Sequence, residues 1–265
     1  MPRITEGGST VAGLFGWMRE RHKIYEKRAK GDPWPWTDDP ILREFKFTNV
    51  YRELDRGTLV LRELLEGCPD DEIVEFTTVW YRLFNWHENA EFGICGYYEL
   101  ADKVRARWRS HHQLFTNAHM SYGRAFEDKH ETMLETIKMV YENPLNLAGL
   151  TLEQAFKEIR RRKLPGLGPF ITYEIVSDLR WYHLDPSDRF TWANIGPGCK
   201  RGLLRLGLDV NLTSLHQLLS EAKRKLKSLP ALELREIEHS LCEFDKYERV
   251  RLGQGRPRLK YHHGS

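Results

Sequence analysis

Along most of the chain, apolar residues recur at three- and four-residue intervals among charges, the spacing of amphipathic helices. Few stretches show the period-two alternation of strands. Residues 11–30 carry Leu14, Phe15, Trp17, Met18, Ile24 and Tyr25 in the helical pattern. Residues 31–40, with Pro33, Pro35 and Pro40, break it. Helical spacing resumes over 41–57 through Leu42, Phe45, Val50, Tyr51 and Leu54. It predicts further helices over 58–66, 71–86, 97–110, 127–142 and 151–162. Asp70 and Asp71 supply a helix start through capping and the helix dipole. Past a loop beginning at Asp185, a helix carries Lys200, Arg201 and Arg205 before Gly207. Residues 213–227 and 231–247 are strongly helical, and Ser228, Leu229 and Pro230 separate them. Residues 113–124 are less regular and read as a short hairpin or a loop. The pattern predicts an all-α protein, and 265 residues suffice for one large domain or two lobes sharing a core.

Composition narrows the class only slightly. The net charge of +3 is too small to argue for nucleic acid by itself. Its distribution says more: residues 246–260 hold Lys246, Arg249, Arg251, Arg256, Arg258 and Lys260 against one acid, Glu248. A basic C-terminal tail over 246–265 either follows a phosphate backbone or stays solvated. Cys68, Cys95, Cys199 and Cys242 are far apart and form no Cys-x-x-Cys pair, so local metal-ligand pairs and a disulfide framework are not expected. His111 and His112, or His119 with His130, lack the spacing of a helical zinc pair. No apolar run approaches the roughly 20 residues a membrane helix needs. The N-terminus lacks a signal-peptide core. The expectation is a cytoplasmic monomer without a membrane association.

The run 163–170 (Lys-Leu-Pro-Gly-Leu-Gly-Pro-Phe) carries the most chemistry. It lies between a helix ending in Arg160, Arg161 and Arg162 and a second helix running to Leu179, so it reads as a helix-hairpin-helix over about 151–180. Gly166 and Gly168 are expected to supply backbone shapes that a side chain would block. Amides at the mouth of the second helix, with Lys163 beside them, suit a DNA phosphate and read no sequence. A plain structural turn would use the same glycines.

The hairpin and a carboxylate downstream of it resemble the helix-hairpin-helix superfamily of DNA glycosylases. In that superfamily an essential Asp follows the hairpin by a set distance, and Asp188 stands 18 residues beyond Phe170 here. The resemblance implies that Asp188 stabilises a developing sugar cation, with Asp185 as a nearby competitor. The alternative is that Asp188 caps a helix. Bifunctional members carry a Schiff-base lysine where this chain has Phe170. The resemblance therefore implies a monofunctional reaction with water that leaves an abasic site.

A second resemblance covers more of the chain. Residues 47–58 (Phe-Thr-Asn-Val-Tyr-Arg-Glu-Leu-Asp-Arg-Gly-Thr), 192–202 (Trp-Ala-Asn-Ile-Gly-Pro-Gly-Cys-Lys-Arg-Gly) and 241–249 (Leu-Cys-Glu-Phe-Asp-Lys-Tyr-Glu-Arg) are similar to signatures of DNA base hypermodification proteins. These comprise the α-glutamyl/putrescinyl thymine pyrophosphorylase-like proteins and the helical domain attached to 5-hydroxymethyluracil DNA kinases, a group related to the glycosylases. Asn49, Arg52 and Arg56 fall at helical spacing with Asp55 close by, a face suited to reading a flipped pyrimidine. Buried pairing of Arg52 with Asp55 is the structural alternative. Trp192 and Asn194 follow Asp188 and are expected to line the same base pocket, with Trp192 able to stack. Gly196, Pro197 and Gly198 open a helix bearing Lys200 and Arg201, a second expected phosphate contact. Asp245, Lys246 and Tyr247 receive no role beyond salt-bridging.

Together these features predict a two-lobed, all-α, helix-hairpin-helix glycosylase-like enzyme. It would flip and excise a hydroxymethylated or further decorated pyrimidine from phage DNA, as an anti-phage defence. No cofactor is expected beyond the option of a monovalent cation at the hairpin. The rival from another class is a group transferase acting on an activated 5-hydroxymethyluracil in DNA, and a third is a non-catalytic DNA-binding module. The chain has no Gly-x-x-x-x-Gly-Lys-Ser/Thr phosphate loop.

Overall fold

A computed structural model describes residues 8–116, 129–257 and 259–261. Among them the regular elements are helical. In chain order they are α1 (Val11–Ala29), α2 (Pro40–Glu44), α3 (Arg56–Leu64), α4 (Asp71–Phe84) and α5 (Tyr97–Arg109). Next come α6 (Lys129–Glu142), α7 (Leu152–Arg161), α8 (Pro169–Leu179), α9 (Pro197–Arg205), α10 (Leu212–Lys225) and α11 (Leu234–Arg251). Short 3₁₀ turns occupy Arg52–Leu54, His87–Phe92 and Pro186–Asp188. The all-α expectation holds. The less regular stretch 113–124 lies outside the described residues from 117 onward, as does His119.

Local chemistry explains most helix starts. The side chains of Thr10 and Asp70 accept from Gly13 N and Ile73 N. Thr151 forms a capping box with Gln154, satisfying two end amides reciprocally. The glycines before Pro169 and Pro197 use the preference of proline for the first helical position.

The chain divides into two compact units. The first comprises residues 1–52 and 189–265, the second 53–188. In the first unit α11 is central. It packs on α9 and is flanked by α1, α2 and α10. Leu14, Phe15, Met18, Leu203, Leu215, Ile237, Leu241 and Phe244 form its core. In the second unit α4 is buried from Val74 to Phe84 and packs on α6 and α8, with α7 alongside α8. Each fully buried Leu, Val or Phe in these cores contributes about 1.5–3 kcal/mol. An ion pair is sealed inside the second unit: Arg82 Nη2 donates to Asp178 Oδ1 at 2.9 Å and to Thr58 Oγ1 at 2.9 Å.

Two predicted elements are corrected. Residues 41–57 do not form one helix, because α2 ends at Glu44 and Phe45 is extended. Lys46 N donates to Leu259 O and Tyr261 N to Glu44 O, while Arg21 donates to Phe47 O. These distant partners satisfy a backbone that would otherwise need a helix. Phe45, Phe47, Val50 and Tyr51 are buried from an irregular segment, and that burial imitated helical spacing. The second correction concerns the basic tail. Lys246, Arg249 and Arg251 belong to α11 and pair with Glu243, Asp245 and Glu248. Lys260 pairs with Glu44. A helix supplies the acids one turn away, so these cations are not a solvated arm.

Candidate functional site

In the first unit the second and third motifs, and residues 47–52 of the first, converge on α11. Gly198 and Gly202 of α9 face it at very close range. A Cβ built on Gly198 would lie 2.1 Å from Cys242 Sγ, and one on Gly202 would lie 2.5 Å from Leu241 O. Gly198 and Gly202 thus let α9 seat against the third motif. Asp245, fully buried, accepts from Arg201 Nε at 2.9 Å and Arg205 Nε at 2.6 Å. Burial pushes its carboxyl up, but the bonds from Arg201 and Arg205 outweigh this and hold it below its ordinary value. Arg201, expected at a phosphate, is thereby committed in part to Asp245, whereas Lys200 is exposed. Tyr247 donates to Asp39 at 2.7 Å. Both residues border a cavity of about 390 Å³ that Trp17 and Glu20 also line.

The first motif meets the same helix. Thr48 N donates to Glu243 at 3.3 Å, and Thr48 Oγ1 lies 2.5 Å from His239 Nε2. Asn49 is buried and its Oδ1 accepts from Arg21 Nη2 at 2.7 Å. Asn49 is outside any helix, Arg52 opens a 3₁₀ turn, and Asp55 and Arg56 are the N-cap and first residue of α3. The shared helical face proposed for Asn49, Arg52 and Arg56 therefore does not exist, for the same reason that 41–57 is not helical. Asp55 makes no side-chain cap hydrogen bond in α3. Trp192 and Asn194 are half-buried in the segment leading to Gly196.

Sequence reasoning missed Glu238. It sits on α11 beside the N-terminus of α9, and its Oε1 accepts from Gly196 N at 3.4 Å. Burial pushes its carboxyl up to about 8, against the opposing pull of the Gly196 amide and the charge of Arg52. The Gly196 amide expected at a phosphate is thus already occupied by a carboxyl. A Glu inside an amphipathic helix carries no sign of its burial, so no sequence signal could have singled it out. Cys199 and Cys242 flank this region, and burial raises both thiols, Cys242 to about 12.

In the second unit, α7 and α8, where a helix-hairpin-helix was expected, pack on one another across the turn of residues 162–168. Gly166 has φ +75, which a side chain resists. Gly168 does not need to be glycine for its shape. It is extended at φ −66, and a Cβ there would meet nothing within 4 Å. Lys163 is exposed and itself left-handed, at φ 52. Phe170 is also exposed. Asp188 places Oδ1 3.2 Å from Leu152 N and Oδ2 2.9 Å from Glu153 N, so it caps α7, a helix earlier in the chain. Asp185 instead bonds Ser187 N and Oγ, at 2.9 and 2.8 Å. Lys129, over the Phe115 ring at 3.9 Å, was also not foreseen, and burial lowers its ammonium to about 8. Among the described residues no group of three or more His, Cys, Asp or Glu is placed to hold a metal, and no helix is long and apolar enough to cross a membrane.

The motif network of the first unit and the hairpin of the second both lie within residues 9–256, which match the family described as "5-hmdU DNA kinase, helical domain". The chain belongs to that family. A 5-hmdU DNA kinase of Bacillus phage SP10 is 29% identical to it over 92% of the chain, and the match covers 46% of that relative. The chain thus spans about half the length of this curated relative. No solved structure matches significantly.

Membership in a kinase helical-domain family overturns the excision reading. The expected hydrolytic, monofunctional glycosylase, with its role in anti-phage defence, is set aside, because the matched family and relative are named for a kinase, which backs the transferase alternative instead. The error has a physical source. A hairpin and a carboxylate at a set spacing report how a helix pair is built and how DNA could be held, and both reaction classes share that need. Neither feature encodes which bond breaks.

Proposed function

We propose that this helical domain holds DNA and presents a 5-hydroxymethyluracil base for group transfer onto its hydroxymethyl oxygen. The observation that carries this is the family match, which runs through all three motif segments. The chain has no phosphate-loop signature among its 265 residues, so the domain takes the nucleic-acid side of the reaction. In the second unit the exposed Lys163 and the amides that open α8 suit a DNA phosphate; in the first, by itself, the exposed Lys200 suits another. Asn49, Arg52, Trp192 and Asn194 are the residues for the base, which would leave the stack to reach them. Asp188 serves as the cap that fixes the start of α7 ahead of the hairpin.

Fluorescence anisotropy with duplexes that differ only in one 5-hydroxymethyluracil or thymine tests the reading. The modified duplex is expected to bind more tightly, and equal affinity would refute it. Nucleoside mass spectrometry of the incubated DNA should show no released free base.

A further inference from the structure

Helix α11 buries five acids: Glu236, Glu238, Glu243, Asp245 and Glu248. Four of them are closed by cations. Arg235 bonds Glu236, Lys246 pairs with Glu243, Arg201 and Arg205 bond Asp245, and Arg251 bonds Glu248. Glu238 is different. It is 8% exposed, its Oε1 has only the long bond from Gly196 N, and its Oε2 has no hydrogen-bond partner among the described residues. A buried carboxyl without an ionic partner is most stable neutral, as one O–H donor beside one C=O acceptor. That pair complements a ligand offering an acceptor next to a donor. A phosphate offers acceptors only and carries charge. The imide edge of uracil has an N–H flanked by carbonyl oxygens.

We propose that Glu238 is a specificity-determining residue that reads the imide edge of an everted 5-hydroxymethyluracil, donating to a ring carbonyl and accepting from the ring N–H. This rests on the base-presenting role proposed above. Glu238 lies on the helix that the first and second motifs pack against, next to Gly196 and within the field of Arg52. Arg52 favours its ionised form, and the charges of Cys199 and Cys242, were they thiolates, would oppose it. Both thiols stay neutral well past the range in which Glu238 titrates. Ionisation of Glu238 removes the O–H donor and sets a negative charge against the ring carbonyls.

The test uses the full chain and two duplexes, identical except that one position holds either 5-hydroxymethyluracil or a tetrahydrofuran abasic analogue. Glu238→Ala is expected to weaken binding to the base-bearing duplex roughly five- to tenfold, the loss of one or two buried hydrogen bonds, and to leave abasic binding unchanged. Glu238→Gln keeps a donor and an acceptor and should retain wild-type affinity at pH 7. For wild type, the ratio of base-bearing to abasic affinity should fall as pH rises through about 8, whereas in Glu238→Gln it should stay flat. A Glu238→Ala variant that weakens both duplexes equally, or neither, overturns the role of Glu238 and leaves the functional reading standing. Wild-type protein that binds thymine and 5-hydroxymethyluracil duplexes alike overturns that reading, and this role with it.

Discussion

Gly202→Ala should destabilise this protein although alanine is the better helix former. In an unconstrained helix interior the change gains about 1 kcal/mol. At position 202 the added Cβ would stand 2.5 Å from Leu241 O and 2.9 Å from Leu241 C. Those are backbone atoms of α11, so no rotamer change relieves the clash and α9 must move away. Overpacking of this kind costs about 1–3 kcal/mol, and a backbone obstacle places it near the top of that range. After the propensity gain the net loss is about 2 kcal/mol, which lowers Tm by roughly 4–8 °C for a chain of this size. The internal control is Gly16→Ala. Gly16 lies within α1, and a Cβ there would meet nothing within 4 Å. Gly16→Ala should therefore raise Tm by a few degrees. Thermal unfolding followed by circular dichroism at 222 nm reads both. A Gly202→Ala protein as stable as wild type would refute the claim that Gly202 seats α9 on α11.

Three further outcomes follow from the same geometry. Glu238 titrates near 8 when folded and near 4.5 when unfolded, so its buried neutral form costs nothing at pH 4 and its ionisation increasingly opposes folding as pH rises through that window. Glu238→Gln should accordingly match wild-type Tm near pH 5 and exceed it near pH 9; a constant difference across pH would contradict the burial argument. Asp178→Ala leaves Arg82 charged and buried without its carboxylate, and chemical denaturation should show a loss of about 3–5 kcal/mol. Asp188→Ala removes the carboxylate from Leu152 N and Glu153 N and should cost about 1–2 kcal/mol, with amide exchange accelerating first in the opening turn of α7.

The sequence alone determined the helical class, because apolar spacing of three and four residues is a local property that each segment carries with it. It located α1, α4, α5 and α7 closely from that spacing, with Asp70 marking the start of α4; the caps at Thr10 and Thr151 likewise act within three residues. It also contained the three motifs in order. What it could not carry was any relation that needs a distant partner. Residues 41–57 had helical spacing, yet Leu259, Arg21 and Glu243 satisfy that backbone from more than 20 residues away. Gly198 looked like part of a phosphate-binding helix start, and only the approach of α11 shows that it and Gly202 are contact surfaces. Asp188 was placed at a spacing that fits catalysis, but the fold sets its oxygens on the first turn of α7. Glu238 was invisible because a charged residue in an amphipathic helix reads as solvent-facing. Burial is a property of the packed surface, and the tertiary structure alone decided which acid on α11 lost its water without gaining a counter-ion.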